Sequence, residues 1–189
     1  MTKKDKTEIP YTPPLFSINL DKICNEERHV NPAVLRSVIE LAIEISREGR
    51  EGRKIGTMFV VGDEKVVLAT SRALILDPLA GHPDNVKHIE DPSVRETVKE
   101  LAQLDGAFIV SNDGVVVSAA RYIDVNSKGI KLPLGLGSRH LAAAGITRDT
   151  GAVAVVVSES SVVRILDDGV LIAQIIPELW LIHRSEELP

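Results

Sequence analysis

The sequence predicts an α/β fold, a mixed central β-sheet of about seven strands flanked by helices. Short apolar runs rich in β-branched residues interleave along the chain with capped amphipathic segments, so helices must cover the faces of a sheet. Asp113-Gly114 and Asp168-Gly169 each separate two strand-like runs and read as hairpin turns, which puts antiparallel pairs into that sheet. With 189 residues, 44% of them hydrophobic, and no internal repeat, the chain has enough apolar material for one well-filled core.

The elements follow in order. Residues 1–20 combine Lys3, Lys4, Asp5 and Lys6 with Pro10, Pro13 and Pro14 and predict a flexible N-terminal arm, leaving 21–189 as a single domain. Asn31 serves as N-cap with Pro32 at the first helical position, and Val34, Val38, Leu41, Ala42 and Ile45 recur at helical spacing as far as Gly49. Arg47, Arg50, Arg53 and Lys54 cluster at that helix's end, where cations complement the dipole. Ile55 to Val61 reads as a buried strand closed by Gly62-Asp63. Glu64 to Asp77 is ambiguous: its apolar residues, Leu74, Ile75 and Leu76 among them, could make a short helix followed by a strand, and Pro78 ends the stretch.

Gly81 to Asp91 lacks periodicity and predicts a surface loop, after which Asp91 and Pro92 open a second helix with Val94, Val98, Leu101 and Ala102 on its buried face. Ala107 to Val110 and Val115 to Tyr122 form a hairpin across Asp113-Gly114, and Ile123 to Pro133 is a polar loop. Ala152 to Val157, all apolar, reads as a central strand, and Val162 to Leu166 with Val170 to Ile176 as a last hairpin. Trp180, the only tryptophan, is expected to pack the C-terminal end onto the core.

Composition excludes several functions. A net charge of −5 offers no basic face for nucleic acid or an anionic membrane, and no apolar run approaches the ~18 residues a membrane span needs. Cys24 is the single cysteine, which rules out intramolecular disulfides and cysteine-rich zinc sites and suits a reducing, cytoplasmic setting. There is no Walker loop, no Gly-x-Ser-x-Gly elbow and no His-Glu-x-x-His helix, and Gly135-Leu136-Gly137 starts like a dinucleotide fingerprint but has His140 where its third glycine belongs. His29, His82, His88 and His183 have no spaced partners and read as surface residues.

The chemistry concentrates in Leu134 to Thr147, where a glycine-hinged loop delivers Ser138, Arg139 and His140 onto the start of an alanine-rich helix. Free amides and the positive end of a helix dipole favour phosphate, and Arg139 adds a permanently charged fork. A glycine loop before a helix is often only a turn and cap. Basic residues at a helix start, however, oppose the dipole unless an anion lies between them. Asp105-Gly106-Ala107 differs from the other Asp-Gly pairs because a helix leads in and a buried strand leads out; a plain helix stop is the alternative.

Taken together, Asp105-Gly106-Ala107, Tyr122, Gly137-Ser138-Arg139-His140 and Ser158-Glu159 resemble the diadenylate cyclase family, whose members carry an Asp-Gly-Ala motif, a Gly-Thr-Arg-His-Arg-like motif and a Ser-Glu pair. The likeness takes in Glu48 to Val61 and the loop Asp77-Pro78-Leu79-Ala80-Gly81-His82, so it covers most of residues 31–183, in a form that looks soluble and single-domain.

The resemblance implies condensation of two ATP molecules to cyclic di-AMP with release of two pyrophosphates. It also implies a divalent metal, manganese or magnesium with cobalt a further candidate, and a homodimer or higher homo-oligomer that brings two nucleotides face to face. Asp105 would bind the metal or take the proton of the ribose hydroxyl, and Arg139, His140 and Ser138 would hold the triphosphate. Gly106 would let the nucleotide lie against the backbone, with Ala107 and Gly137 beside it; Tyr122 and Ile123 correspond to the adenine-contacting strand end, and Glu159 to a second metal ligand.

Two positions depart from the pattern. Ser138 replaces threonine and keeps the hydroxyl, whereas Leu141 replaces the arginine after the histidine and removes a cation that Arg121, Lys131 or Arg148 would have to supply. The alternatives are a non-catalytic sensor of adenine nucleotides or cyclic di-AMP, and a structural subunit that binds nothing. Retention of Asp105 speaks against the sensor, since an acid beside an anionic ligand has little use without metal.

Overall fold

A computed structural model describes residues 20–126 and 128–178. The expected arm therefore lies outside the described residues except for Leu20, as do Trp180 and His183; Leu20 is already buried in a short helix, α1 (Leu20–Ile23).

The Asn31 side chain accepts from the Ala33 amide and starts α2 (Pro32–Glu48), which ends when Gly49 turns to φ 59°. Then come β1 (Thr57–Val61), α3 (Glu64–Ala69) and the short β2 (Ser71–Ala73). After a 3-10 turn at Asp84–Val86, Asp91 caps α4 (Pro92–Leu101) by accepting from the Ser93 amide. The chain continues through β3 (Ala107–Val110), β4 (Val116–Ile123), α5 (Ser138–Asp149), β5 (Val153–Val157), β6 (Val163–Asp167) and β7 (Val170–Ile175).

One seven-stranded sheet results, in the order β2-β4-β3-β1-β5-β6-β7. Only β1 and β3 run parallel; every other neighbouring pair is antiparallel, so the sheet is mixed, as expected. Strands β1, β3 and β5 are buried on both faces, which is why they read as unbroken apolar runs. One face packs under α2 and α4 around Phe59 and Phe108, whose rings stack 5.1 Å apart. The other face, with Met58, Val60, Ile109, Ala154 and Val156, lies under α5 and α3.

The segment after β2 corrects an expectation. Leu74, Ile75 and Leu76 are not part of a strand and are exposed, Leu76 by 94%. The cause is a long-range anchor: just beyond them the Asp77 carboxylate accepts from the Ala119 amide at 3.2 Å and the Ser118 hydroxyl at 2.5 Å, as well as from the nearby Leu79 amide at 2.9 Å. That anchor ties the chain back to β4 and pushes the three apolar side chains outward.

A β-bulge shapes β4. The β3–β4 register slips between Ala107↔Arg121 and Ile109↔Ser118, with Ala120 at φ 51°. Gly106, at φ 107°, lies against this bulge, and a Cβ there would come within 2.7 Å of the Ala120 carbonyl carbon and the Arg121 nitrogen. Gly106→Ala is expected to destabilise the fold by about 1–3 kcal/mol in urea unfolding. Unchanged stability would show that the backbone approach is not what demands glycine.

Candidate functional site

Helix α5 is seated by small residues. Ala143, Ala144 and Gly145 are buried against the sheet and the loop that precedes the helix, and a Cβ on Gly145 would fall 2.4 Å from Val125 Cγ2. This close seating sets the position of the helix start. Gly137 is the N-cap and offers no side-chain bond; its carbonyl accepts from the His140 and Leu141 amides, leaving those of Ser138 and Arg139 directed to the helix mouth.

A cavity of about 360 Å³ opens beside that mouth. Met58, Leu74, Tyr122, Ile123 and Ala142 give it apolar walls, and Asp105, Gly106, Arg121, Ser138 and Arg139 supply the polar groups. The bulge at Ala120 turns the end of β4 so that Arg121, Tyr122 and Ile123 all reach it. Tyr122 is 45% exposed and carries the Arg72 guanidinium 4.5 Å from its ring centroid.

Arg139 is the electrostatic centre of the mouth. Its Nη2 donates to Asp105 Oδ1 at 3.2 Å, and its Nη1 lies 3.7 Å from Glu159 Oε1. Asp105 and Glu159 are largely exposed, at 89% and 71% of their side chains, so each pairing contributes at most about 1 kcal/mol. Both carboxylates can therefore change partner when a ligand arrives. Gly56, just before β1, makes room: a Cβ there would meet Arg139 Nη1 at 2.7 Å and Glu159 Cγ at 3.2 Å.

Of the residues expected at the site, the structure brings Asp105, Gly106, Tyr122, Ile123, Ser138 and Arg139 to one cavity, with Gly137 and Glu159 at its edge. It does not bring Ala107 or His140 there. Ala107 is fully buried in the sheet. His140 is 6% exposed, and its Nε2 accepts from Arg164 Nη1 at 3.3 Å, on the side of α5 toward β6. Burial first, then Arg164 and Arg139, push its pKa down to about 4, which favours the neutral ring.

Gly106 lines the cavity, and on its Cβ side it is packed against the β4 backbone. Arg121 reaches the cavity, but its guanidinium donates to the Ser71 and Leu68 carbonyls and the Ser71 hydroxyl. Arg148 is held by the Asn126 and Lys128 carbonyls and by Asp149. Gly56, Met58, Leu74 and Ala142 were missed as site residues. Only Ala142 carried a signal in the sequence, its i, i+4 spacing from Ser138.

An apolar-walled cavity beside an open helix start, with a guanidinium flanked by carboxylates, is the class of α/β site whose groups suit an apolar ring joined to an anion. The comparisons with known proteins narrow that class. A family profile described as DAC, DisA bacterial checkpoint controller nucleotide-binding, matches residues 44–171. A diadenylate cyclase of Methanocaldococcus jannaschii is 47% identical over 144 residues, 76% of this chain and 45% of that protein. One from Haloferax volcanii is 42% identical over 153 residues, 79% of this chain and 55% of that protein.

Among solved structures, a double mutant of DacA from Staphylococcus aureus aligns with a TM-score of 0.52 at 23% identity, over 82% of this chain and 94% of that one. A protein described as a hypothetical membrane spanning protein from Bacillus cereus aligns with 0.57 at 25% identity, over 76% and 67%. The chain belongs to the DAC family. It spans about half the length of the curated relatives it matches. Among the described residues, no helix is long and apolar enough to cross a membrane.

The depressed pKa of His140 has a testable sign. A neutral buried ring contributes stability that is present above pH 6.5, the ordinary histidine value, and is lost as pH falls toward about 4. In an NMR titration the His140 ring is expected to stay neutral through pH 6. A midpoint near 6.5 would contradict its burial beside two arginines.

Proposed function

We propose that this chain is a diadenylate cyclase that condenses two ATP molecules into cyclic di-AMP and releases two pyrophosphates. The convergence of Asp105, Ser138 and Arg139 on one cavity, in a chain 47% identical to a diadenylate cyclase, is the observation that carries this reading. The adenine enters between Tyr122, Ile123, Leu74 and Met58, which offer aromatic and apolar surface. The triphosphate then lies across the start of α5, where the Ser138 and Arg139 amides and the Arg139 guanidinium donate to its oxygens.

The ribose 3′-hydroxyl is a poor nucleophile at neutral pH. Asp105 accepts its proton as the oxygen attacks the α-phosphorus of the facing nucleotide; the new P–O bond forms as the bond to pyrophosphate breaks. General-base help of this kind contributes ~10²–10⁴-fold. Arg139 stabilises the charge that builds on the departing pyrophosphate.

The donor set fits a divalent cation. Among the described residues no group of three or more His, Cys, Asp or Glu could hold a metal alone. Asp105 and Glu159 nevertheless converge on Arg139, and ions such as Mg²⁺ commonly take one or two carboxylates together with substrate phosphates. When bound, such an ion would lower the charge on the phosphates and the pKa of the attacking hydroxyl. Manganese, magnesium and cobalt all suit these oxygen donors.

Cyclic di-AMP is two-fold symmetric, whereas the chain carries a single Asp-Gly-Ala and Ser-Arg-His set. Two chains, as a homodimer or within a larger homo-oligomer, supply the opposed nucleotides. Exposed Ile75 and Leu76, next to the cavity-lining Leu74, give the rim the apolar character of a contact surface. At saturating ATP, specific activity should then fall on dilution below the dimer dissociation constant. Constant specific activity from a monomer in light scattering would refute the two-chain site.

Asp105→Asn tests the chemistry. It keeps the cavity and the Arg139 cradle but removes the base, so ATP binding in calorimetry should persist while product formation drops by at least about 10²-fold. Near-normal turnover would remove Asp105 from the reaction.

A further inference from the structure

Arg164 lies on β6, outside every motif the sequence analysis singled out. Its Nε donates to Gln174 Oε1 at 3.0 Å, and its Nη1 donates to His140 Nε2 at 3.3 Å, which brings a permanent cation against the first turn of α5. Both partners are neutral. The other partly buried arginines are compensated differently: Arg28, Arg50, Arg95, Arg139 and Arg148 each have a carboxylate within 4.0 Å, and Arg121 is held by carbonyls. Among the described residues no ion pair is formed by Arg164, although acidic residues outnumber basic ones in the chain.

A half-buried guanidinium without an anion, set beside the positive end of a helix, is electrostatically costly. The arrangement is relieved by an anion that occupies the helix mouth. Leu141, the residue after His140, adds no cation to that turn of α5.

We propose that Arg164 supplies from the sheet the phosphate-binding cation that position 141 of the helix lacks, and that it contacts the terminal phosphates of the nucleotide. This rests on the nucleotide site described above. Arg164 reaches the first turn of α5 through His140, the residue after Arg139, so phosphates laid across the open start of that helix have Arg139 on the cavity side and Arg164 on the β6 side. His140, accepting at Nε2, holds the guanidinium in place.

Calorimetric titration of the full chain with ATP, pyrophosphate and AMP tests this without relying on turnover. For Arg164→Gln, ATP and pyrophosphate affinities are expected to fall at least about tenfold while AMP affinity stays within about twofold. Adding Leu141→Arg to that variant should restore most of the ATP affinity, because it returns the charge to the helix. Should Arg164→Gln fail to fold, Arg164→Lys is titrated instead, with ATP weakened relative to AMP as the expected result. Equal weakening of ATP and AMP, unchanged ATP affinity, or no recovery with Leu141→Arg would each overturn the proposal. If the unmodified chain binds ATP but forms no cyclic di-AMP, the cyclase reading fails while this ligand series still decides the role of Arg164.

Discussion

The seating of α5 on the sheet is the constraint from which the site follows. Ala143, Ala144 and Gly145 are small enough for the helix backbone to approach the strands and the loop at Val125, and the room at Gly145 cannot accept a Cβ. The helix is thereby fixed in rotation and height. Ser138, Arg139 and Ala142 then face the cavity while His140 faces β6. A larger residue in that seat would lift the helix and move the guanidinium away from both carboxylates. Gly56 and Gly106 serve the same end from the sheet side, one by leaving space for Arg139 and the other by allowing the bulge that turns the end of β4 toward the cavity.

The electrostatics of the mouth are those of a site prepared for exchange. Arg139 is shared between exposed acids, so its pairings are weak and reversible, and the adjacent amides have no side-chain cap. By contrast, the Glu44, Glu48 and Glu96 carboxylates around the buried Lys99 ammonium form a closed network that joins α2 to α4, and their hydrogen bonds raise its pKa. The first arrangement suits ligand binding and the second suits holding helices together. The residue types are similar, and burial and packing separate them.

Much of this was legible in the sequence because the governing interactions are local. Asn31-Pro32 and Asp91-Pro92 announce helix starts through capping chemistry that involves neighbours two residues away. The buried strands announce themselves by being apolar on both faces, and the two hairpins by their Asp-Gly turns. What escaped depends on long-range placement. Leu74 to Leu76 fit a strand by sequence, but the tie from Asp77 to β4 takes them out of the sheet. Asp105, Arg139 and Glu159 could be grouped through the family resemblance, but Gly56 joins them only because β1 lies between β3 and β5. His140 sits within the motif, yet helix rotation points its ring away from the cavity and toward an arginine that no local pattern marks.

The account stands or falls on what the cavity and the α5 mouth do to ATP. Incubation of the purified chain with ATP and, separately, Mg²⁺, Mn²⁺ or Co²⁺, followed by mass analysis of the nucleotides and assay of pyrophosphate, measures this directly. The expected result is cyclic di-AMP with two pyrophosphates released per product in the presence of at least one metal. Recovery of unaltered ATP with all three metals from a chain that binds it would contradict the account and leave a nucleotide sensor in its place.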